Sequence, residues 1–192
     1  MDKTIAALSL LSLSACYDSH AGYEVEGVKL DIQLKTQEHS YWCWAAITQS
    51  LLAWQGVERS QCEIVSKAFK RDCCTAESKC NNAFHLTQLE DAGLVQQVYD
   101  YQTYKDELKT QLSWNRPVVL YYAHPKAAHF VILTGFGPAV GLAENEFEVQ
   151  NSAYLQEYVK SAATYDDIVA GNLAILSGSG WVWKQTIPIV MQ

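Results

Sequence analysis

The sequence predicts an α+β domain with two lobes, because apolar residues recur at helical spacing in its first half and form strand-like runs in its second half. Of the 192 residues, 49% are hydrophobic and 11% are aromatic, which is enough apolar material for one buried core. We therefore expect one domain over residues 28–192, with helices first and strands afterwards, rather than alternating βαβ units.

Four helices are predicted before residue 115. The first carries apolar residues spaced by three or four, namely Trp44, Ile47, Leu51 and Trp54. Gly56 then provides a stop signal. Residues 60–63 (Ser-Gln-Cys-Glu) match a capping box and so predict the start of a second helix. Shorter helices are expected over 84–91 and over 103–113.

Strands are predicted in the second half of the chain, over residues 117–122, 128–134, 147–150 and 181–190. Loops rich in glycine and proline separate them. Pro188 cannot donate a backbone hydrogen bond, so the last strand is expected at an edge of the sheet.

The N-terminal segment has the features of an export signal. Residues 4–15 are apolar and uncharged, too few to span a bilayer, and end in Leu-Ser-Ala-Cys at Cys16. This ending resembles the lipobox of bacterial lipoproteins. The resemblance implies a signal peptide over 1–15, acylation of Cys16 and a tether over 16–27. The domain would then be anchored in a bacterial cell envelope, on its periplasmic or extracellular face. An ordinary signal peptide, which would leave a secreted protein, is the alternative.

The cysteines divide into a cluster and a single thiol. Four of them lie within twenty residues: Cys62, Cys73, Cys74 and Cys80. In an oxidising compartment this predicts two disulfides, and two connectivities stay open because the adjacent pair is not expected to bond together. A zinc site is the alternative, but vicinal cysteines fit poorly around one tetrahedral metal. Cys43 remains as a free thiol.

The position of Cys43 suits a nucleophile. A thiol attacks a carbonyl as a thiolate, which a helix N-terminus or a nearby imidazolium stabilises. Cys43 stands at the start of the first predicted helix, where backbone N–H groups and the helix dipole favour an anion. A small buried cysteine in a core helix is the alternative. The net charge of −7 and the absence of a basic run argue against nucleic acid as a partner.

The residues around Cys43 match a known pattern. Gln37 precedes Cys43 by six residues, and Trp44 follows it directly. Further along come residues 129–137 (HFVILTGFG) and then 151–152 (Asn-Ser) at the end of the next predicted strand. Together these residues resemble the papain family of cysteine peptidases. The resemblance implies a papain-like fold, with a helical lobe that carries the nucleophile and an antiparallel sheet lobe, and neither a cofactor nor a metal.

The resemblance also implies a role for each residue. Cys43 would attack the scissile carbonyl, and His129 would hold it as a thiolate and later protonate the leaving amine. Asn151 would orient the imidazole. Gln37, with the backbone N–H of Cys43, would stabilise the oxyanion. His124 is an alternative base, but it lacks the strand pattern that follows His129.

Three further residues near these positions need an interpretation of their own. His39 is close to Cys43 in sequence, although a solvated loop histidine is the simpler interpretation. Trp42 is expected in the core, with the substrate groove as a second option. Ala153 stands where papain relatives usually have a tryptophan that shields the Asn–His pair, and His129 and Asn151 follow Cys43 more closely than in plant-type members.

The leading hypothesis is therefore a cysteine peptidase that hydrolyses peptide bonds of a protein or peptide substrate. A cell-wall amidase of the NlpC type is a second enzyme class, but its third group is often histidine, whereas this chain offers Asn151. Acyl transfer and deamidation use the same thiol chemistry. A lipoprotein that keeps the scaffold only for binding is the alternative without enzyme activity.

Overall fold

The computed structural model describes residues 27–83, 87–95, 97–152, 159–174, 176 and 178–190. The predicted signal peptide, Cys16 and all of the tether except Gly27 lie outside these residues, as does Ala153. Within them, no helix combines the length and the apolar character needed to cross a membrane.

Six α-helices are described: α1 Cys43–Trp54, α2 Gln61–Phe69, α3 Glu77–Cys80, α4 Thr87–Asp91, α5 Lys105–Ser113 and α6 Tyr165–Ala170. The first predicted helix is confirmed, and Gly56 follows it with φ +81°. The capping box is confirmed too, since Ser60 and Glu63 exchange side-chain and backbone hydrogen bonds. The fourth predicted helix begins at Lys105 rather than at Thr103. For the third, only the part over α4 lies within the described residues.

The strands form one antiparallel sheet. They are β1 Val28–Lys29, β2 Val118–His124, β3 Ala127–Phe136, β4 Glu146–Asn151, β5 Val159–Thr164 and β6 Val182–Pro188. The order is β5-β4-β3-β2-β6, and β1 pairs with the far end of β3. The four predicted strands are confirmed, while β1 and β5 were missed. β6 ends the order, as Pro188 indicated.

A single hydrophobic core joins the helical part to the sheet. α1 packs against β3, α5 packs against β2 and β3, and α6 packs against β5 and β6. Buried side chains from both halves belong to the same cluster, among them Trp42, Leu51, Val131 and Ile187. The helix that begins with Cys43 is therefore held directly on the strand that carries His129. The α+β architecture that the sequence predicts is confirmed.

Two disulfides link the helical part. Cys62 bonds to Cys74, and Cys73 bonds to Cys80, which is one of the two connectivities left open by the sequence. Cys43 is the free cysteine among the described residues. In the same part of the chain, no group of three or more histidine, cysteine, aspartate or glutamate side chains is arranged to hold a metal ion.

Candidate active site

Cys43 is the first residue of α1, and only 7% of its surface is exposed. The first turn of the helix contains no acidic side chain. The N–H groups of this turn have no partner from a preceding turn, because the first intrahelical bond found here runs from the Ala46 N–H to the Trp42 carbonyl. The site of the thiol is therefore one that favours negative charge.

His129 and Asn151 meet on one face of the sheet. Ile132 pairs with Gln150, so extending the register by one residue places Asn151 opposite Val131, two residues from His129. Residues two apart on a strand point to the same face. The Nε2 atom of the half-buried His129 lies 2.5 Å from Oδ1 of the buried Asn151. An amide oxygen can only accept, so Nε2 of His129 donates this hydrogen bond and Nδ1 is left available to Cys43.

The imidazole also interacts with Cys43. Burial lowers the pKa of His129. The hydrogen bond and the charge of Cys43, together with the hydrogen bond to Asn151, raise this pKa by more than burial lowers it. The net result is a pKa above the usual 6.5. Asn151, His129 and Cys43 thus lie near one another, an arrangement that suits a thiol nucleophile.

Gln37 is buried in the segment that we call the nucleophile loop, residues 37–42. Its Nε2 atom donates to the backbone carbonyls of His39 and Ser40 at 2.9 Å and 3.1 Å. Its Oε1 atom is buried and has no hydrogen-bond partner within the part of the chain that the structure describes. The amide of Gln37 therefore holds the loop that leads to Cys43, and an N–H of this amide reaches an oxyanion only by giving up a carbonyl of the loop.

The histidine and tryptophan alternatives take other positions. The ring of His39 packs edge-on against Trp42, with centroids 4.2 Å apart, so His39 is half-buried rather than a solvated loop residue. Trp42 is fully buried and belongs to the core, not to a groove. His124 accepts a hydrogen bond from the backbone N–H of Lys126 in the turn between β2 and β3.

Trp181 is a residue of the site that the sequence did not reveal. Its ring lies edge-on to the His129 ring, with centroids 6.5 Å apart, and 5.3 Å from the His124 ring. Trp181 precedes β6 and is thirty positions beyond Asn151 along the chain. No local pattern marks it, because the contact depends on how β6 pairs with β2.

A cavity of about 490 Å³ opens elsewhere, between α1, α2 and the residues after α4. Leu52, Ile64 and Ala92 contribute apolar surface, and Glu63 and Lys67 contribute charge. None of the four candidate catalytic residues lines this cavity. It therefore belongs to the helical part of the domain and not to the candidate active site.

A free thiol at a helix N-terminus, near an imidazole that is hydrogen-bonded to a side-chain amide, is an arrangement that suits a thiol-dependent hydrolase of the papain type. Residues 26–160 match the family model described as papain-like cysteine protease AvrRpt2, and this match spans more than half of the chain. The protein belongs to this family of papain-like cysteine proteases.

One solved structure is similar over most of the chain. It is the crystal structure of xylellain, a cysteine protease from Xylella fastidiosa, which is similar over 87% of this chain and 87% of that chain, at 12% sequence identity and a TM-score of 0.45. No curated protein matches the sequence significantly.

Proposed function

We propose that the protein hydrolyses peptide bonds of a protein or peptide substrate, with Cys43 as nucleophile, His129 as acid and base, and Asn151 as the group that orients His129. The observation that carries the proposal is the connected arrangement from Asn151 through His129 to Cys43 at the start of α1. Membership in a family of papain-like cysteine proteases supports the same chemistry.

The reaction would proceed in two stages. The Cys43 thiolate attacks the carbonyl carbon of the scissile bond, and its Sγ forms a bond to that carbon. The tetrahedral intermediate collapses as His129 gives its proton to the leaving amine, which releases the first product and leaves a thioester. His129 then takes a proton from water, the resulting hydroxide attacks the thioester, and the acid product and the thiol are released.

The oxyanion of each tetrahedral intermediate would be stabilised by the backbone N–H of Cys43 and by the amide of Gln37. The N–H of Cys43 lies in the first turn of α1, where a backbone N–H has no acceptor within the helix. In the resting protein the Gln37 amide donates to two loop carbonyls. One of these bonds would be exchanged for a bond to the oxyanion, and a single such donor is worth about 3 kcal/mol.

The protein would act in a bacterial cell envelope, tethered through an acylated Cys16. The lipobox-like sequence before Cys16 is the basis, and the two disulfides suit an oxidising compartment. Metabolic labelling with a fatty-acid analogue tests this proposal. Labelling of the wild type that is lost in Cys16→Ser supports the anchor, and an unlabelled mature protein contradicts it.

The peptidase proposal is tested by the rate of Cys43 alkylation by iodoacetamide as a function of pH, read by mass spectrometry. We expect rapid labelling well below pH 8 in the wild type and its loss in His129→Ala. His124→Ala is the matched control, because His124 lies on the neighbouring strand, contacts the same Trp181 ring and has no assigned role. Slow labelling near pH 8.5 that is insensitive to His129 would show that Cys43 is a structural cysteine.

A panel of substrates separates the enzyme classes. Cleavage of an unfolded protein such as casein supports the peptidase, while release of peptides from peptidoglycan fragments alone would support the amidase. Cys43→Ala should abolish either activity. Ammonia release from a glutamine-containing protein without chain cleavage would instead indicate deamidation.

A further inference from the structure

Residues 40–42 of the nucleophile loop are tied to a distant part of the chain by three hydrogen bonds. The indole N–H of Trp42 donates to the carbonyl of Cys80 at 3.0 Å, and this bond is buried. The backbone N–H of Tyr41 donates to Oδ1 of Asn81 at 3.0 Å. The Nδ2 atom of Asn81 donates to Oγ of Ser40 at 3.0 Å. Three consecutive residues of the loop are thus held by two consecutive residues about forty positions away.

These bonds act on the segment that sets up the nucleophile. Trp42 is the N-terminal cap residue of α1, so its position sets the direction in which the chain enters the helix at Cys43. Ser40 also provides one of the two carbonyls that hold the Gln37 amide. Ser40 and Tyr41 are exposed, and Trp42 has no side-chain capping bond to offer to α1. Contacts from outside the loop therefore add to the internal hydrogen bonds of the Gln37 amide in setting the geometry of residues 40–42.

The residues that supply these contacts are themselves fixed by a disulfide. Cys80 is fully buried and bonds to Cys73, which is also fully buried. The backbone N–H of Cys73 donates to Oγ of Ser66 in α2 at 2.8 Å. The disulfide therefore connects the support of the nucleophile loop to α2. The second disulfide, Cys62–Cys74, makes no hydrogen bond of its own to the loop among the described residues. Its neighbour Gln61 accepts a bond from the Glu38 N–H at 2.9 Å, but Gln61 is part of α2 and is held by that helix.

We propose that Asn81 is a positioning residue for the nucleophile, and that the Cys73–Cys80 disulfide keeps Asn81 and the Cys80 carbonyl in place. The proposal rests on the proposed peptidase function. The hydrogen bonds of Asn81 go to Tyr41 and Ser40 and not to Cys43, so Asn81 acts through the nucleophile loop. Its loss should therefore lower kcat, which depends on the geometry of Cys43 and the oxyanion donors, and leave KM almost unchanged.

The first experiment compares Asn81→Ala with Asn81→Asp. Alanine removes the acceptor of the Tyr41 N–H and the partner of Ser40, and we expect kcat to fall about tenfold, since two exposed hydrogen bonds are lost. Aspartate keeps an acceptor for the Tyr41 N–H and can accept from the Ser40 hydroxyl, so it should restore most of the activity. A kcat of Asn81→Ala equal to that of the wild type would overturn the proposal.

Hydrogen exchange of the nucleophile loop gives a readout that does not depend on activity. We expect faster exchange at residues 39–43 in Asn81→Ala and wild-type exchange in Asn81→Asp. If the wild type proved unable to cleave any peptide, the proposed function would fail, while the exchange rates would still decide whether Asn81 holds the loop. Unchanged exchange in the alanine variant would overturn the positioning role.

The two disulfides provide a matched pair of double variants. Cys73→Ser with Cys80→Ser should lower kcat and speed exchange at residues 40–42. Cys62→Ser with Cys74→Ser should leave kcat within about twofold of the wild type at a temperature where both variants are folded, because Gln61, the residue beside Cys62 that bonds to Glu38, is held within α2. An equal loss of kcat in both double variants would show a general effect of stability and contradict the proposal.

Discussion

Replacing Asn151 by alanine is the most informative single change at the candidate site. The substitution removes the acceptor that lies 2.5 Å from Nε2 of His129 and that contributes to its raised pKa. A hydrogen bond to a charged group contributes about 1.5–3 kcal/mol. If that energy is lost from the transition state, turnover falls by roughly 10- to 150-fold.

The pH dependence of the same variant gives the sign of the effect. The thiolate–imidazolium pair exists only while His129 is protonated, so the alkaline limb of the activity profile follows the pKa of His129. Burial lowers this pKa, and the bond to Asn151 opposes that effect. Asn151→Ala should therefore move the alkaline limb to lower pH. Asn151→Asp adds a negative charge beside the imidazolium and should move the limb to higher pH.

The assay is cleavage of a fluorogenic peptide between pH 4 and pH 10, with Cys43 alkylation measured in parallel. Circular dichroism checks that each variant is folded at every pH. An alkaline limb that is the same in wild type, Asn151→Ala and Asn151→Asp would refute the reasoning, because it would mean that Asn151 does not act on the imidazole that controls activity.

Four further predictions follow. Gln37→Ala should lower kcat about 100-fold, because an oxyanion donor is lost. Urea unfolding of the same variant should show a loss of about 1–2 kcal/mol of stability, because the two hydrogen bonds to the loop carbonyls are lost. An unchanged kcat in the folded variant would show that Gln37 does not stabilise the oxyanion. Trp181→Ala should lower kcat several-fold by exposing the His129 ring to water, with Trp181→Phe close to wild type. In Cys43→Ala, NMR titration should show a lower pKa for His129, since the thiol raises that pKa against the effect of burial. Ser60→Ala should cost about 1 kcal/mol of stability by urea unfolding without changing kcat, because it removes only the cap of α2.

The features that the sequence predicted well are those encoded by neighbouring residues. The span of α1 follows from its apolar spacing and from Gly56, and the start of α2 follows from the Ser60–Glu63 capping box. The main strands carry branched and aromatic residues. β5, by contrast, has the sequence VKSAAT, which has little strand propensity, and it forms because β4 provides a paired edge.

The features that the sequence did not predict depend on distant contacts. The choice between two disulfide connectivities is decided by which α-carbons come within reach, here 4.9 Å and 5.7 Å apart. The contact of Trp181 with His129 requires the pairing of β6 with β2. The hydrogen bonds of Asn81 require the disulfide-linked segment to fold back on the loop before α1.

The pairing at the edge of the sheet has a consequence for how the domain can be divided. β6 ends the strand order, yet Ile189 and Thr186 form bridges with Val95 and Tyr99, and β1 pairs with β3. The helical half thus completes the sheet that carries His129. A fragment consisting of the sheet half alone would expose unpaired backbone along β6 and would tend to aggregate, so the two halves cannot be exchanged between relatives as independent modules.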